Sequence, residues 1–207
     1  MTAQLQGHTA SKLSPVATPP LLQVDNLSLE YRTAQRVVRA THQVGFEVDK
    51  GDRFVLLGPS GCGKSTLLKA VGGFIQPSEG AIRLQGQAVN GPGPDRIVVF
   101  QEFDQLPPWK TVKQNVMFPL LVSGTLKRAE AEQRALEYLE KVGLAAFADA
   151  YPHTLSGGMK ARVSIARALA MQPKILLMDE PFAALDALTR RKMQEELLAL
   201  WEEVRFT

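Results

Sequence analysis

An α/β fold built around a phosphate-binding loop is what this sequence predicts, and three observations carry the prediction. Residues Gly58 to Thr66 read Gly-Pro-Ser-Gly-Cys-Gly-Lys-Ser-Thr, which fits the pattern G-x-x-x-x-G-K-[ST]. The apolar run Phe54-Val55-Leu56-Leu57 stands directly before that loop, and a helix-compatible run, Ser65 to Val71, directly after it. A second apolar run, Ile175 to Met178, ends in two carboxylates, Asp179 and Glu180.

The loop has a chemical reason for each residue type. Gly58, Gly61 and Gly63 let the backbone bend so that consecutive N–H groups face one phosphate chain. Lys64 brings a full positive charge to the β- and γ-phosphates, and the Ser65 hydroxyl suits the Mg²⁺ that travels with the nucleotide. A helix starting near Lys64 adds the positive end of its dipole. Phe54 to Leu57 predicts a buried parallel strand, and Gly72-Gly73 supplies a helix stop. A chance glycine-rich turn would not fall between a strand and a helix in this order.

Composition bounds the rest. The 207 residues suffice for a real core and one domain or two. Apolar residues make up 45% and charged residues 22%, ordinary for a globular chain. The net charge of +3 gives no argument for a nucleic-acid partner. Cys62, the one cysteine, sits inside the phosphate loop, so no internal disulfide framework exists. No apolar stretch reaches membrane-spanning length, so work at a membrane requires docking to another protein.

In chain order, residues 1–20 are rich in Thr, Ser, Pro and Gln and predict a disordered tail without a secretory signal. Leu27, Leu29 and Tyr31, then Val44, Phe46 and Val48, alternate with polar residues and predict two half-buried antiparallel strands. Tyr31 reads as an ordinary strand aromatic on this evidence alone. Ile82 and Leu84 alternate in a further short strand, and Ile97 to Phe100 forms another that ends at Gln101. A polar residue at the end of an α/β strand is well placed to reach a ligand.

Pro107-Pro108-Trp109 then breaks regular structure, and the pattern from Val112 to about Ala150 is helical, with Ala135, Leu139 and Val142 on one face. A helical subdomain at about 107–165 is therefore expected within the α/β core. Ser156-Gly157-Gly158 reads either as an N-cap with a flexible lead-in or as a second anion site at a helix start. Met159, Val163, Ala166 and Leu169 share one face of that helix, which Pro173 stops. Adjacent acids at a buried strand's end are costly unless a metal or donors meet them. Asp179 is thus the expected second support for Mg²⁺, and Glu180 a group that orients or deprotonates water. Leu188 to Val204 predicts a last amphipathic helix, with Leu197, Leu200 and Val204 in register.

From about Leu21 onward the chain resembles the ATP-binding cassette of an ABC transporter. Leu155-Ser156-Gly157-Gly158-Met159 looks like the signature motif of that family, and its place before a strand ending in Asp179-Glu180 is highly specific. The fold so implied is α/β: a P-loop NTPase core with a parallel sheet, N-terminal antiparallel strands and an inserted helical subdomain. The resemblance implies ATP and Mg²⁺ as cofactors. It makes Tyr31 the aromatic stacked on adenine and gives Gly58, Pro59, Ser60, Gly61, Cys62, Gly63, Lys64, Ser65 and Thr66 the phosphates. Gln101 would lie near Mg²⁺ and the attacking water and relay nucleotide state to a permease. Asp179 would support Mg²⁺ with Ser65, and Glu180 would be the catalytic base, assisted by Gln101 and Lys64. Ser156, Gly157 and Gly158 would bind the ATP held by a second subunit in a head-to-tail dimer, with Asp186 at the interface.

Asn90-Gly91-Pro92-Gly93-Pro94-Asp95-Arg96 before Val98-Val99-Phe100-Gln101, followed by Pro108-Trp109 and Pro181-Phe182, looks like the nitrate, sulfonate and taurine importer branch. That implies a membrane permease, a solute-binding protein, and peripheral attachment at the cytoplasmic face of the cell (inner) membrane. There are departures. Ala161 stands where Gln is usual, Ala183 where Gly is usual, and Gln105 to Pro108 lack a pair of leucines. The family continues past the last helix with a strand and a switch histidine, whereas His8, His42 and His153 lie elsewhere. The resemblance therefore implies a C-terminally truncated cassette with a poorly covered sheet edge, binding ATP·Mg²⁺ with weak turnover. Two alternatives stand beside the importer ATPase: an ATP-binding module with little turnover, and a non-transport ABC ATPase. Repair members of that last class carry a long coiled coil and translation-type members two cassettes, neither of which fits here.

Overall fold

The computed structural model describes residues 19–32, 37–100 and 105–207. Gln101 and most of the expected tail therefore lie outside the described residues. Strand β1 (Leu22–Arg32) pairs antiparallel with β2 (Val37–Val48) and, on its other edge, with β3 (Glu79–Leu84). A two-residue strand β4 (Gln87–Ala88) closes the sheet in the order β2-β1-β3-β4. The alternation in Leu27 and Leu29 becomes two fully buried side chains. Gly80 is needed where β3 begins: its φ is +81°, and a Cβ there would stand 2.2 Å from the Asp25 carbonyl oxygen.

Helix α1 (Lys64–Val71) follows the phosphate loop and packs Leu67, Ala70 and Val71 beneath this sheet. Strand β5 (Arg96–Val99) pairs parallel with β6 (Ile175–Met178), joining Val98 to Leu177 and Val99 to Met178. Between them in sequence come α2 (Val112–Val122), α3 (Arg128–Lys141) and α4 (Gly157–Ala170). Helix α5 (Ala187–Val204) completes the described elements.

Two apolar clusters hold these layers together. Ile175 and Leu177 join the cluster under the antiparallel sheet, while Leu176 joins the one built on α2, α3 and α4. Strand periodicity of two thus makes β6 the seam between both cores. Helix α2 starts with a capping box. Gln114 N–H donates to the Thr111 hydroxyl at 3.2 Å, and Thr111 N–H to Gln114 Oε1 at 3.0 Å. Val112, Val116, Leu120, Ala135 and Leu139 are fully buried between α2 and α3, as the helical periodicity requires.

One expected element is absent. Phe54 to Leu57 forms no strand, with Val55 70% and Leu57 88% exposed, rather than a buried parallel strand. A strand exists through its neighbours' hydrogen bonds, and no described strand pairs with this segment, although Phe54 stacks on Phe46 of β2 and Leu56 packs against the cluster that holds Ile175 and Leu177. Nearby, Leu176 N–H donates to the Thr207 carbonyl and Gly51 N–H to the Thr207 hydroxyl, both at 2.7 Å. The last residues therefore bridge the edge of β6 and the turn before Phe54. The guanidinium groups of Arg53 and Arg205 each lie over the Trp201 ring, 4.2 and 4.7 Å from its centroid.

Candidate nucleotide site

The phosphate loop follows the unpaired Phe54–Leu57 segment and runs straight into α1. Gly61 and Gly63 take φ of +82° and +98°, the left-handed region that glycine enters without strain. At Gly63 space is also short, because a Cβ would lie 2.6 Å from the Ala40 carbonyl oxygen on β2. Gly58 needs its small size for a different reason: a Cβ would meet the Cys62 sulfur at 2.6 Å. The antiparallel sheet thus abuts the loop. From the same sheet, the Tyr31 hydroxyl donates to Thr66 Oγ1 at 3.1 Å, and the ring is 41% exposed. Neither contact can be read from the sequence, since each joins distant segments through the fold.

The charged groups of the loop meet the end of β6. Ser65 Oγ donates to Asp179 Oδ1 at 2.9 Å. Lys64 Nζ donates to the Gly58 and Pro59 carbonyls at 2.9 and 3.1 Å, and lies 3.9 Å from Glu180 Oε1. The lysine therefore folds back over its own loop, where its charge faces whatever anion the loop N–H groups receive. A cavity of about 250 Å³ opens here, lined by Val55, Leu56, Lys64, Leu68, Met178, Asp179 and Glu180.

Glu180 sits at φ +46°, a left-handed conformation that costs a non-glycine residue about 1–2 kcal/mol. Such strain is characteristic of functional positions. Ala183, by contrast, does not take positive φ, so its replacement of glycine meets no backbone conflict. Ser65 and Asp179 form a hydroxyl and carboxylate pair of hard oxygens, the donor type Mg²⁺ prefers. The donor chemistry fits that ion. Held there, Mg²⁺ would neutralise phosphate charge, while the loop amides and Lys64 orient the phosphate chain.

The second anion motif lies apart. Ser156 is the N-cap of α4, its hydroxyl accepting from Met159 N–H at 3.3 Å. Among the described residues, no hydrogen bond or ion pair joins Ser156, Gly157 or Gly158 to the 58–66 loop. A Cβ at Gly158 would find only ordinary contacts, at 3.4 Å from Thr189 and 3.7 Å from Met193, so internal packing does not demand glycine. Asp186 caps α5 by accepting from Thr189 N–H at 3.0 Å. Hydrogen bonding from Thr189 holds its carboxyl below the ordinary carboxylate value.

Of the histidines among the described residues, His42 lies beside Arg39 and His153 stacks on Tyr151. Among the described residues, no cluster of three or more His, Cys, Asp or Glu could hold a metal, and no helix is long and apolar enough to cross a membrane. Sequence reasoning missed Arg167, half-buried on α4, whose Nη1 donates to the Gln105 carbonyl at 2.7 Å. Burial lowers the pKa of its guanidinium from the usual value.

Known proteins resemble this chain over most of its length. Residues 41–183 match the family described as ABC transporter. The taurine import ATP-binding protein TauB of Rhizobium johnstonii is 53% identical over 184 residues, 88% of this chain and 70% of its own. The bicarbonate transport ATP-binding protein CmpD of Synechocystis sp. is 43% identical, over 98% of this chain and 74% of its own. Among solved structures, the dimeric post-hydrolysis cassette MJ0796 bound to ADP and Pi superposes with a TM-score of 0.75 at 35% identity. That match covers 88% of this chain and 83% of the other.

Proposed function

The chain is an ATP-binding subunit belonging to the ABC transporter family, and from that premise we propose that it energises the import of a small anion or zwitterion, of the nitrate, sulfonate, taurine or bicarbonate kind. One observation carries the nucleotide chemistry: Ser65 and Asp179 in contact at 2.9 Å, with Lys64 and Glu180 beside them. Lys64 and the loop from Gly58 to Thr66 bind the phosphates, Ser65 and Asp179 hold Mg²⁺ with Gln101, and Glu180 takes the proton of the attacking water. Tyr31 stacks on the base. Ser156, Gly157 and Gly158 close on the ATP of a second subunit, with Asp186 beside them. Support for this last point is that Gly158 has no internal reason to be glycine and that these residues stand apart from their own loop.

The working unit in this reading is a head-to-tail pair docked beneath a membrane permease, itself fed by a solute-binding protein. The chain attaches peripherally at the inner face of the cell membrane. Residues 107–165 act as the helical subdomain of the cassette. Proteoliposomes holding the permease and this subunit test the proposal. ATP-driven uptake of taurine, nitrate, a sulfonate or bicarbonate, lost on Lys64→Ala, is the expected result. ATP turnover with no uptake of any small anion would refute the importer assignment.

A further inference from the structure

The link from Glu180 to Asp186 joins the end of β6 to the start of α5. Glu180 opens it at φ +46° with its carboxylate on the cavity, and Asp186 closes it as the N-cap of α5. Between them the backbone makes two short turns. Ala183 N–H donates to the Glu180 carbonyl at 3.0 Å, and Leu185 N–H to the Phe182 carbonyl at 3.1 Å. The buried side chains of Phe182 and Leu185 seat the link on the helical cluster. Arg190, near the start of α5, then turns back onto it. Its Nε donates to the Phe182 carbonyl at 3.3 Å, and its Nη2 to the carbonyls of Ala183 and Leu185 at 3.1 and 2.8 Å. All three acceptors are main-chain oxygens, so these bonds fix the path of the backbone.

The helix itself does not call for a cation here, because positive charge near a helix N-terminus opposes the dipole. Nor does an ion pair account for it: among the described residues Arg190 forms no salt bridge. What a guanidinium supplies is a planar fork of N–H donors that holds several acceptors in one orientation. Glu180 needs such a restraint, since a strained left-handed residue persists only where its surroundings over-determine it. On the near side the restraint is the Asp179 N–H bond to the Val99 carbonyl, at 2.9 Å. We propose that Arg190 is a positioning residue that supplies the far side: it clamps the Glu180–Asp186 link and so sets where the Glu180 carboxylate stands, 3.9 Å from Lys64. The inference rests on the reading of Glu180 as the group that takes the proton of the attacking water.

The test is a double-mutant cycle in the permease complex, reading kcat for ATP hydrolysis and, separately, ATP affinity. Arg190→Ala is expected to lower kcat roughly tenfold and leave ATP affinity within about twofold. It should fold, because Arg190 is exposed and belongs to neither apolar cluster. Added to Glu180→Gln it should cost nothing more, since the group it places is already gone. Native kcat in Arg190→Ala, a loss that multiplies with that of Glu180→Gln, or an ATP affinity that falls as far as kcat would each overturn the proposal. If Arg190→Ala does not fold, Arg190→Lys, whose single ammonium lacks the fork, enters the cycle in its place with the same criteria. Glu180→Gln with native kcat would refute the role of Glu180 and the inference with it. An inactive Glu180→Gln beside a fully active Arg190→Ala would refute the clamp alone.

Discussion

The Ser65 hydroxyl donates to Asp179 Oδ1 over 2.9 Å, across 114 residues of chain. That bond draws the start of α1 onto the end of β6 and fixes two oxygens where a hard cation can take both. Asp179→Ala removes one of them. ATP affinity measured with and without Mg²⁺ should then become nearly independent of the metal, while the native protein binds ATP more tightly with Mg²⁺. A variant that keeps its full Mg²⁺ dependence would remove Asp179 from the metal site.

Lys64 makes two bonds to its own loop and faces Glu180 at 3.9 Å, so its ammonium is already held beside the loop proposed to take the phosphates. Each bond from a charged donor to phosphate contributes about 1.5–3 kcal/mol. Lys64→Ala should weaken ATP binding by at least about 100-fold in a calorimetric titration. The fold should survive, because the two apolar clusters are built from other residues.

Glu180 carries both a carboxylate at the cavity and a strained backbone. Glu180→Gln retains the shape and removes the proposed base. ATP should still bind, and turnover should fall by about 10²–10⁴-fold. Glu180→Gly should fail in turnover equally but gain about 1 kcal/mol of stability, since glycine accepts φ +46° without strain. Thermal unfolding of the two variants side by side separates the chemical from the conformational role of this position.

The local motifs were legible because they are statements about adjacent residues. The helix from Lys64, the N-cap at Ser156, and the buried faces of α3 and α4 stand where spacing predicts. Phe54 to Leu57 was read as a buried strand because its residue types suit one, yet pairing depends on a neighbour that local sequence does not specify. Tyr31 on Thr66, Gly63 against Ala40, and Arg167 on Gln105 were likewise invisible, each being a contact between distant segments. Gln101 lies outside the described residues, so its role rests on the resemblance and on the proposal made from it.

Leu120 has no exposed surface and stands where α2, α3 and α4 share one apolar cluster. Leu120→Ala leaves a cavity that these helices can refill only in part, at a cost of about 2–5 kcal/mol. Chemical denaturation should show the loss at an unchanged slope. Exposed Leu188 on α5 is the control: its alanine variant should lie within about 0.5 kcal/mol of the native protein.

Asp186 supplies a pH-dependent check on the start of α5. Its carboxylate accepts from Thr189 N–H at 3.0 Å, and hydrogen bonding from Thr189 lowers its pKa from the usual 3.8. A carboxyl whose pKa falls on folding stabilises the folded state above the unfolded value. That contribution fades as pH drops through the lower folded value. Asp186→Ala should therefore lower Tm at pH 7, with the gap to the native protein narrowing once the pH falls below 3.8. Asp186→Asn keeps a capping oxygen that does not titrate, so its Tm should stay close to native at pH 7 and carry less of the acid dependence. An Asp186→Ala gap as wide at pH 3 as at pH 7 would mean that the cap acts through shape alone and not through its charge.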